Sequence, residues 1–173
     1  MSRLGTGLSR LLQIAVVIGL GLVGIGVVAG LAVAAMALID PVSLGDARAT
    51  VNGQSVFLRE PERALGAALT ILAACAFSGA VLWQILGLLK SAARGQPFVA
   101  DNVRRLRMLA ALFATLMVVQ LATVLLPATF GDLLNMREVR LDVGTLFSAL
   151  LSLVLAEVFR AAIALREDAE GTI

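Results

Sequence analysis

The chain has no histidine, no tyrosine, one cysteine and one tryptophan in 173 residues, and only 15% of its residues are charged. Each shortage closes off a class of function. Without histidine the commonest general base and metal ligand is missing. Cys75 alone can neither close an intrachain disulfide nor assemble a Cys/His metal site. With so few charges, a chain of this size could not cover a globular surface in water. Hydrophobic residues supply 60% of the sequence, above the roughly 45–50% of soluble domains, and the mean hydropathy is +0.96. The composition is that of an integral membrane protein.

Four apolar runs carry that character. Residues 11–39 hold Gln13 as their only strongly polar side chain, and residues 65–89 are interrupted by Thr70, Ser78 and Gln84. Residues 108–126 contain Thr115, Gln120 and Thr123, while residues 143–165 enclose Glu157 and Arg160. A helix crosses the hydrocarbon core with about 20 apolar residues. The expected fold is therefore an all-α membrane protein, a four-transmembrane-helix bundle forming one domain over residues 1–173. Arg3 and Arg10 ahead of the first run, with Ala35-Met36-Ala37 near its end, imitate a signal peptide and its cleavage site. Signal apolar regions run only about 7–15 residues, so a retained helix is expected.

Orientation follows from the basic residues. The short segment 90–107 holds Lys90, Arg94, Arg104, Arg105 and Arg107 against a single acid, Asp101, and short loops beside helix ends are where the positive-inside bias decides topology. Both termini are expected in the cytoplasm, with loops 40–64 and 127–142 outside. In the first of these, Asn52-Gly53 between β-formers is a hairpin signal. The second ends Glu138-Val139-Arg140-Leu141-Asp142-Val143, alternating with period two. The two read either as a small extracytoplasmic sheet or as plain connectors.

Three groups of residues are candidates for interactions. Gly26, Gly30 and Ala34 recur four apart, a spacing that lets helix backbones approach. They pack either against another helix of the same chain or against a second copy. Glu157 and Arg160 share a helix face at i, i+3 near the end of the last run. A carboxylate there needs cations, and the candidates are Arg160 itself and the cluster Arg104, Arg105, Arg107. An ion or proton relay is the rival reading, and the other apolar runs contribute no ionisable group to one. Finally, in the loop, Pro97 pushes Gln96 towards an extended conformation, Phe98 is placed for insertion at the interface, and Asp101 or Asn102 suits a helix N-cap. The basic residues also attract anionic lipid. Direct nucleic-acid binding is not expected from so small a surface.

The loop and the tail together carry a resemblance. Gly95-x-Pro97-Phe98 followed by Asn102-x-Arg104-Arg105-Leu106-Arg107, with Glu157-Val158-Phe159-Arg160, Leu165-Arg166-Glu167-Asp168 and Thr172-Ile173, resembles a bacterial family of small four-helix membrane proteins known as a domain of unknown function. Gly171 departs from the larger apolar residue often found there. The resemblance implies a bacterial inner-membrane location and, because members are often encoded beside a Cro/repressor-type helix-turn-helix regulator, a partner of that kind. It implies no reaction. Catalytic residues, cofactors and metals are not expected. A membrane-embedded regulator or scaffold is the favoured function and a small oligomeric transporter or channel the alternative. The expected partners are the lipid bilayer, the regulator and a second copy of the chain.

Overall fold

The computed structural model of the chain describes residues 3–39, 48–51, 54–57, 61–126 and 142–170. Four helices occupy most of them: α1 (Arg3–Ile39), α2 (Pro61–Ala93), α3 (Ala100–Leu125) and α4 (Val143–Glu170). All four are long and apolar enough to cross a membrane, as a multi-pass membrane protein requires. The surface agrees: Ile25, Val28, Val118, Phe147 and Val154 are all well exposed, an arrangement that water would penalise and lipid accepts.

The helices outrun the apolar segments that announce them. α1 has 37 residues, about 55 Å at 1.5 Å per residue against a core of about 30 Å. α2 opens at Pro61, whose missing N–H costs nothing in a first turn, followed by Glu62 where the helix dipole favours an acid. α3 opens at Ala100, so the expected inside loop 90–107 contracts to residues 94–99. Apolar counting finds only the stretch in lipid; backbone hydrogen bonding carries each helix on into polar sequence rich in good helix formers such as Arg, Leu and Ala.

α4 starts at a side-chain cap. Asp142 accepts the Gly144 N–H on Oδ1 at 2.9 Å and the Thr145 hydroxyl on Oδ2 at 2.9 Å, satisfying first-turn donors that have no partner within the helix. These bonds favour the ionised carboxylate, the Gly144 N–H most, and hold the Asp142 pKa below its ordinary value. Residues 138–141 of the alternating segment lie outside the described residues. Its last two positions serve this cap and helix start. Between α1 and α2, strand β1 (Arg48–Val51) pairs antiparallel with β2 (Gln54–Phe57), with Arg48 opposite Phe57 and Val51 opposite Gln54.

The described residues gather into two compact units. One draws on α1 from Gly21, the β pair, α2 up to Gly79 and α3 from Val118. Here α1 and α2 run antiparallel in close contact. A Cβ on Gly26 would stand 2.6 Å from Cys75 Sγ, and one on Gly30 would stand 3.1 Å from Leu72 Cγ and 3.3 Å from Ile71 Cγ2. Further along, Ala37, Ala64 and Ala67 form a buried cluster with Val33 and Leu65 against it. Gly26 and Gly30 therefore pack within the chain. Ala34 is half-buried on the same helix.

The other unit draws on α1 up to Leu20, α2 from Ala80, α3 up to Met117 and all of α4. Its core joins Val103, Leu106 and Leu109 of α3 to Ala156 of α4, with Val81, Ile85 and Leu88 of α2 packed against them. The spacings i, i+3, i+6 on α3 and i, i+4, i+7 on α2 are those of one helical face.

Five hydroxyl groups within the helices donate to their own backbone. Thr70 donates to Gly66 O at 2.9 Å, Thr115 to Ala111 O at 2.9 Å, Ser148 to Gly144 O at 2.8 Å and Ser152 to Ser148 O at 2.8 Å. Thr123 donates to Gln120 O at 2.7 Å. Such back-bonding keeps a donor from facing hydrocarbon unpaired.

Candidate functional site

Residues of the loop between α2 and α3 and of the start of α3 meet Glu157, Phe159 and Arg160 of α4 at one end of the unit that contains all of α4, while Thr172 and Ile173 of the tail motif lie outside the described residues. The turn out of α2 begins the construction. Gly95 adopts φ +75°, the left-handed region open to glycine. Its N–H donates to Ala92 O at 3.0 Å, and the Gln96 N–H donates to Ser91 O at 3.2 Å. This pair of bonds is a Schellman closure, which satisfies carbonyls that the helix end would otherwise strand.

Ser91 and Asn102 then lock the turn to α3. The Asn102 amide nitrogen donates to Ser91 Oγ at 2.9 Å and to Pro97 O at 2.7 Å, and Ser91 Oγ donates to Gln96 O at 2.5 Å. Both side chains are buried, Asn102 to 2% exposure. The Pro97 carbonyl can only accept, which fixes which end of the amide faces it. Asn102 Oδ1 is left buried without a hydrogen-bond partner. The expectation that Asp101 or Asn102 caps α3 is corrected here. The helix already begins at Ala100, so both lie inside its first turn, and the Asn102 side chain reaches backwards across the loop.

Phe98, expected at the interface, packs its ring edge-to-face on Phe159 of α4, with centroids 5.1 Å apart and planes at 61°. Such pairs add about 0.5–1.5 kcal/mol beyond area burial. It ties the loop to the tail motif, yet leaves Phe98 45% exposed.

The charged residues sort into two sets. Asp101 binds Arg104 at 2.7 Å and Arg105 at 2.8 Å, its i+3 and i+4 neighbours. Glu157 binds Arg160 on its own helix at 2.6 Å and Arg107 of α3 at 3.0 Å. The expected pairing of Glu157 with Arg160 is present. Pairing with Arg104 or Arg105 is not, because the nearer Asp101 takes both through contacts within one helix.

Two participants escaped the sequence reading. Ser91 gave no signal by itself beyond a hydroxyl near a helix end. Gly87 did give one: it interrupts Leu86 and Leu88, and an isolated glycine in an apolar helix marks close approach. The half-buried Arg105 side chain lies against it, so that a Cβ at Gly87 would stand 2.7 Å from Arg105 Nε. Among the described residues no three His, Cys, Asp or Glu side chains meet in a group that could hold a metal ion. What the arrangement offers is a fixed polar elbow with an exposed aromatic edge and several guanidinium groups beside it.

A family model described as "Protein of unknown function (DUF2975)" matches residues 46–173. The match covers most of the chain and includes both motifs of the resemblance, so the chain belongs to that family. No curated protein and no solved structure matches it.

Proposed function

We propose that this DUF2975 member is a regulatory or scaffold protein of the bacterial inner membrane that acts through the elbow between α2 and α3. The observation carrying this reading is the lock around Asn102. A buried amide, a buried hydroxyl and a Schellman turn hold residues 95–98 in one conformation, while Phe98 remains 45% exposed. A connector needs no such ordering, whereas a docking surface gains affinity when it is preorganised. The basic residues of the same segment support a cytoplasmic position for it under the positive-inside rule, and the proposal puts both termini on that side.

A cytoplasmic helix-turn-helix regulator is the proposed partner, on the strength of the family resemblance. The alternative of a small oligomeric transporter or channel has less support. Thr70, Thr115, Thr123, Ser148 and Ser152 all spend their hydroxyls on their own helices, whereas a path for ions needs polar groups turned towards it.

The test is capture of the purified regulator encoded beside the gene by the full chain in lipid nanodiscs, with ion flux through liposomes measured in parallel. Saturable binding weakened by Phe98→Ala, without flux, is the expected result. Flux without binding would replace this reading with the transporter. Labelling of a cysteine placed at position 95 from the periplasmic side would overturn the orientation.

A further inference from the structure

A groove of about 470 Å³ runs between α3 and α4 beside the elbow. Its floor is apolar, built from Val103, Met108 and Ile163, and its wall carries Arg104, Arg107 and Arg160. The α3 residues share one face of that helix at i, i+3, i+4 spacings. The arginine side chains stay open, at 77%, 51% and 68% exposure. We propose that this groove binds a single anionic phospholipid, its phosphate held among Arg104, Arg107 and Arg160 and its acyl chain lying on Val103, Met108 and Ile163.

Charge argues for the headgroup. Arg104, Arg105, Arg107 and Arg160 share two carboxylates in their ion pairs, Asp101 and Glu157, which leaves this cluster with two more positive charges than negative ones. Each guanidinium has five N–H donors. Arg107 and Arg160 each give one nitrogen to Glu157, at 3.0 and 2.6 Å, and the guanidinium fork matches phosphate oxygens in pairs. Glu157 has a part in this, since it holds the two side chains from different helices together at the groove. The floor argues for the tail. A free phosphate has no use for an apolar bed, whereas a lipid placed here passes from the arginines onto the exposed Met108 and the apolar length of α3 beyond it. The site is independent of whether a regulator docks on the elbow.

Native mass spectrometry of the purified full chain, titrated with phosphatidylglycerol or with phosphatidylcholine of the same acyl chains, tests the proposal. The anionic lipid should bind at least about tenfold more tightly. A basic residue near an anionic surface is worth about fivefold in affinity, so Arg104→Gln and Arg160→Gln should each cost about that factor for phosphatidylglycerol and leave phosphatidylcholine unchanged. Arg104 touches only exposed Asp101, so its variant stays informative if Arg160→Gln fails to fold. Met108→Glu, a carboxylate in the floor, should also weaken the anionic lipid.

Equal affinity for the two lipids would overturn the site. So would a loss from Lys90→Gln as large as that from Arg104→Gln, since Lys90 lies outside the groove and the attraction would then be diffuse. Displacement of the lipid by equimolar inorganic phosphate would refute the lipid as occupant, and a Glu-rich amphipathic peptide binding where neither lipid does would assign the groove to a protein segment.

Discussion

Replacing Asn102 probes the elbow most directly. Its amide makes two hydrogen bonds, to Ser91 Oγ and Pro97 O, from a position 2% exposed. Each bond contributes about 1 kcal/mol net, and a carbonyl left buried without a donor costs about 1–3 kcal/mol. Asn102→Ala loses both bonds and strands the Pro97 carbonyl, but it also removes the Oδ1 that is already buried and unpartnered. The balance is a loss of about 1–2 kcal/mol, or roughly 2–8 °C at 2–4 °C per kcal/mol for a chain of this size. Asn102→Asp should be worse than alanine, though nearly isosteric. Ionised, it has no N–H for Pro97 O, faces that oxygen with negative charge and remains buried. Thermal unfolding of both variants, followed by circular dichroism in the same detergent, gives the order wild type, then alanine, then aspartate. A neutral Asn102→Ala, or an Asn102→Asp no less stable than it, would show that the amide does not organise the turn.

Glu157 should couple in double-mutant cycles with Arg107 and Arg160 and not with Arg104, which Asp101 engages; coupling with Arg104 comparable to that with Arg107 would contradict the observed pairing. Asp142 predicts an acid response. Its folded pKa lies below the ordinary aspartate value, so its contribution is present above the unfolded pKa and is lost as pH falls through the folded one. Protection of the Gly144 and Thr145 amides, measured relative to the intrinsic exchange rate at each pH, should fall on acidification below about pH 4, and Asp142→Asn, which keeps an acceptor oxygen without the titration, should flatten the response; an unchanged pH profile in that variant would remove Asp142 as its cause.

What the sequence could and could not disclose depends on distance along the chain. The four helices were readable because each repeats one signal over many residues. Arg160 was readable as the partner of Glu157 because i, i+3 neighbours must lie on one face. Arg107 stands 50 residues from Glu157, and no local rule selects it from a cluster of arginines. Asp101 with Arg104 and Arg105 obeys the same local rule as Glu157 with Arg160. The cap reading obscures it, because it assigns the Asp101 carboxylate to backbone N–H groups of the first turn and not to side chains one turn on. Asn102 drew attention as a cap, whereas its partners depend on the turn at Gly95 bringing Ser91 and Pro97 to it. Small residues four apart on α1 marked a close contact, but only the facing Cys75, Leu72 and Ile71 identify the neighbour.

The hydroxyls bonded within their own helices bear on how the chain is made. A threonine or serine that relied on a neighbouring helix would enter the bilayer with its donor unmet until that neighbour arrived. Thr70, Thr115, Thr123, Ser148 and Ser152 carry their acceptors with them, one turn back on the same backbone. As far as these groups are concerned, each span is ready for hydrocarbon as soon as it is helical. Insertion can then proceed span by span during synthesis, and association can follow at its own pace. Close packing such as that of Gly26 and Gly30 decides the final arrangement, while the hydroxyls impose no order on the steps before it.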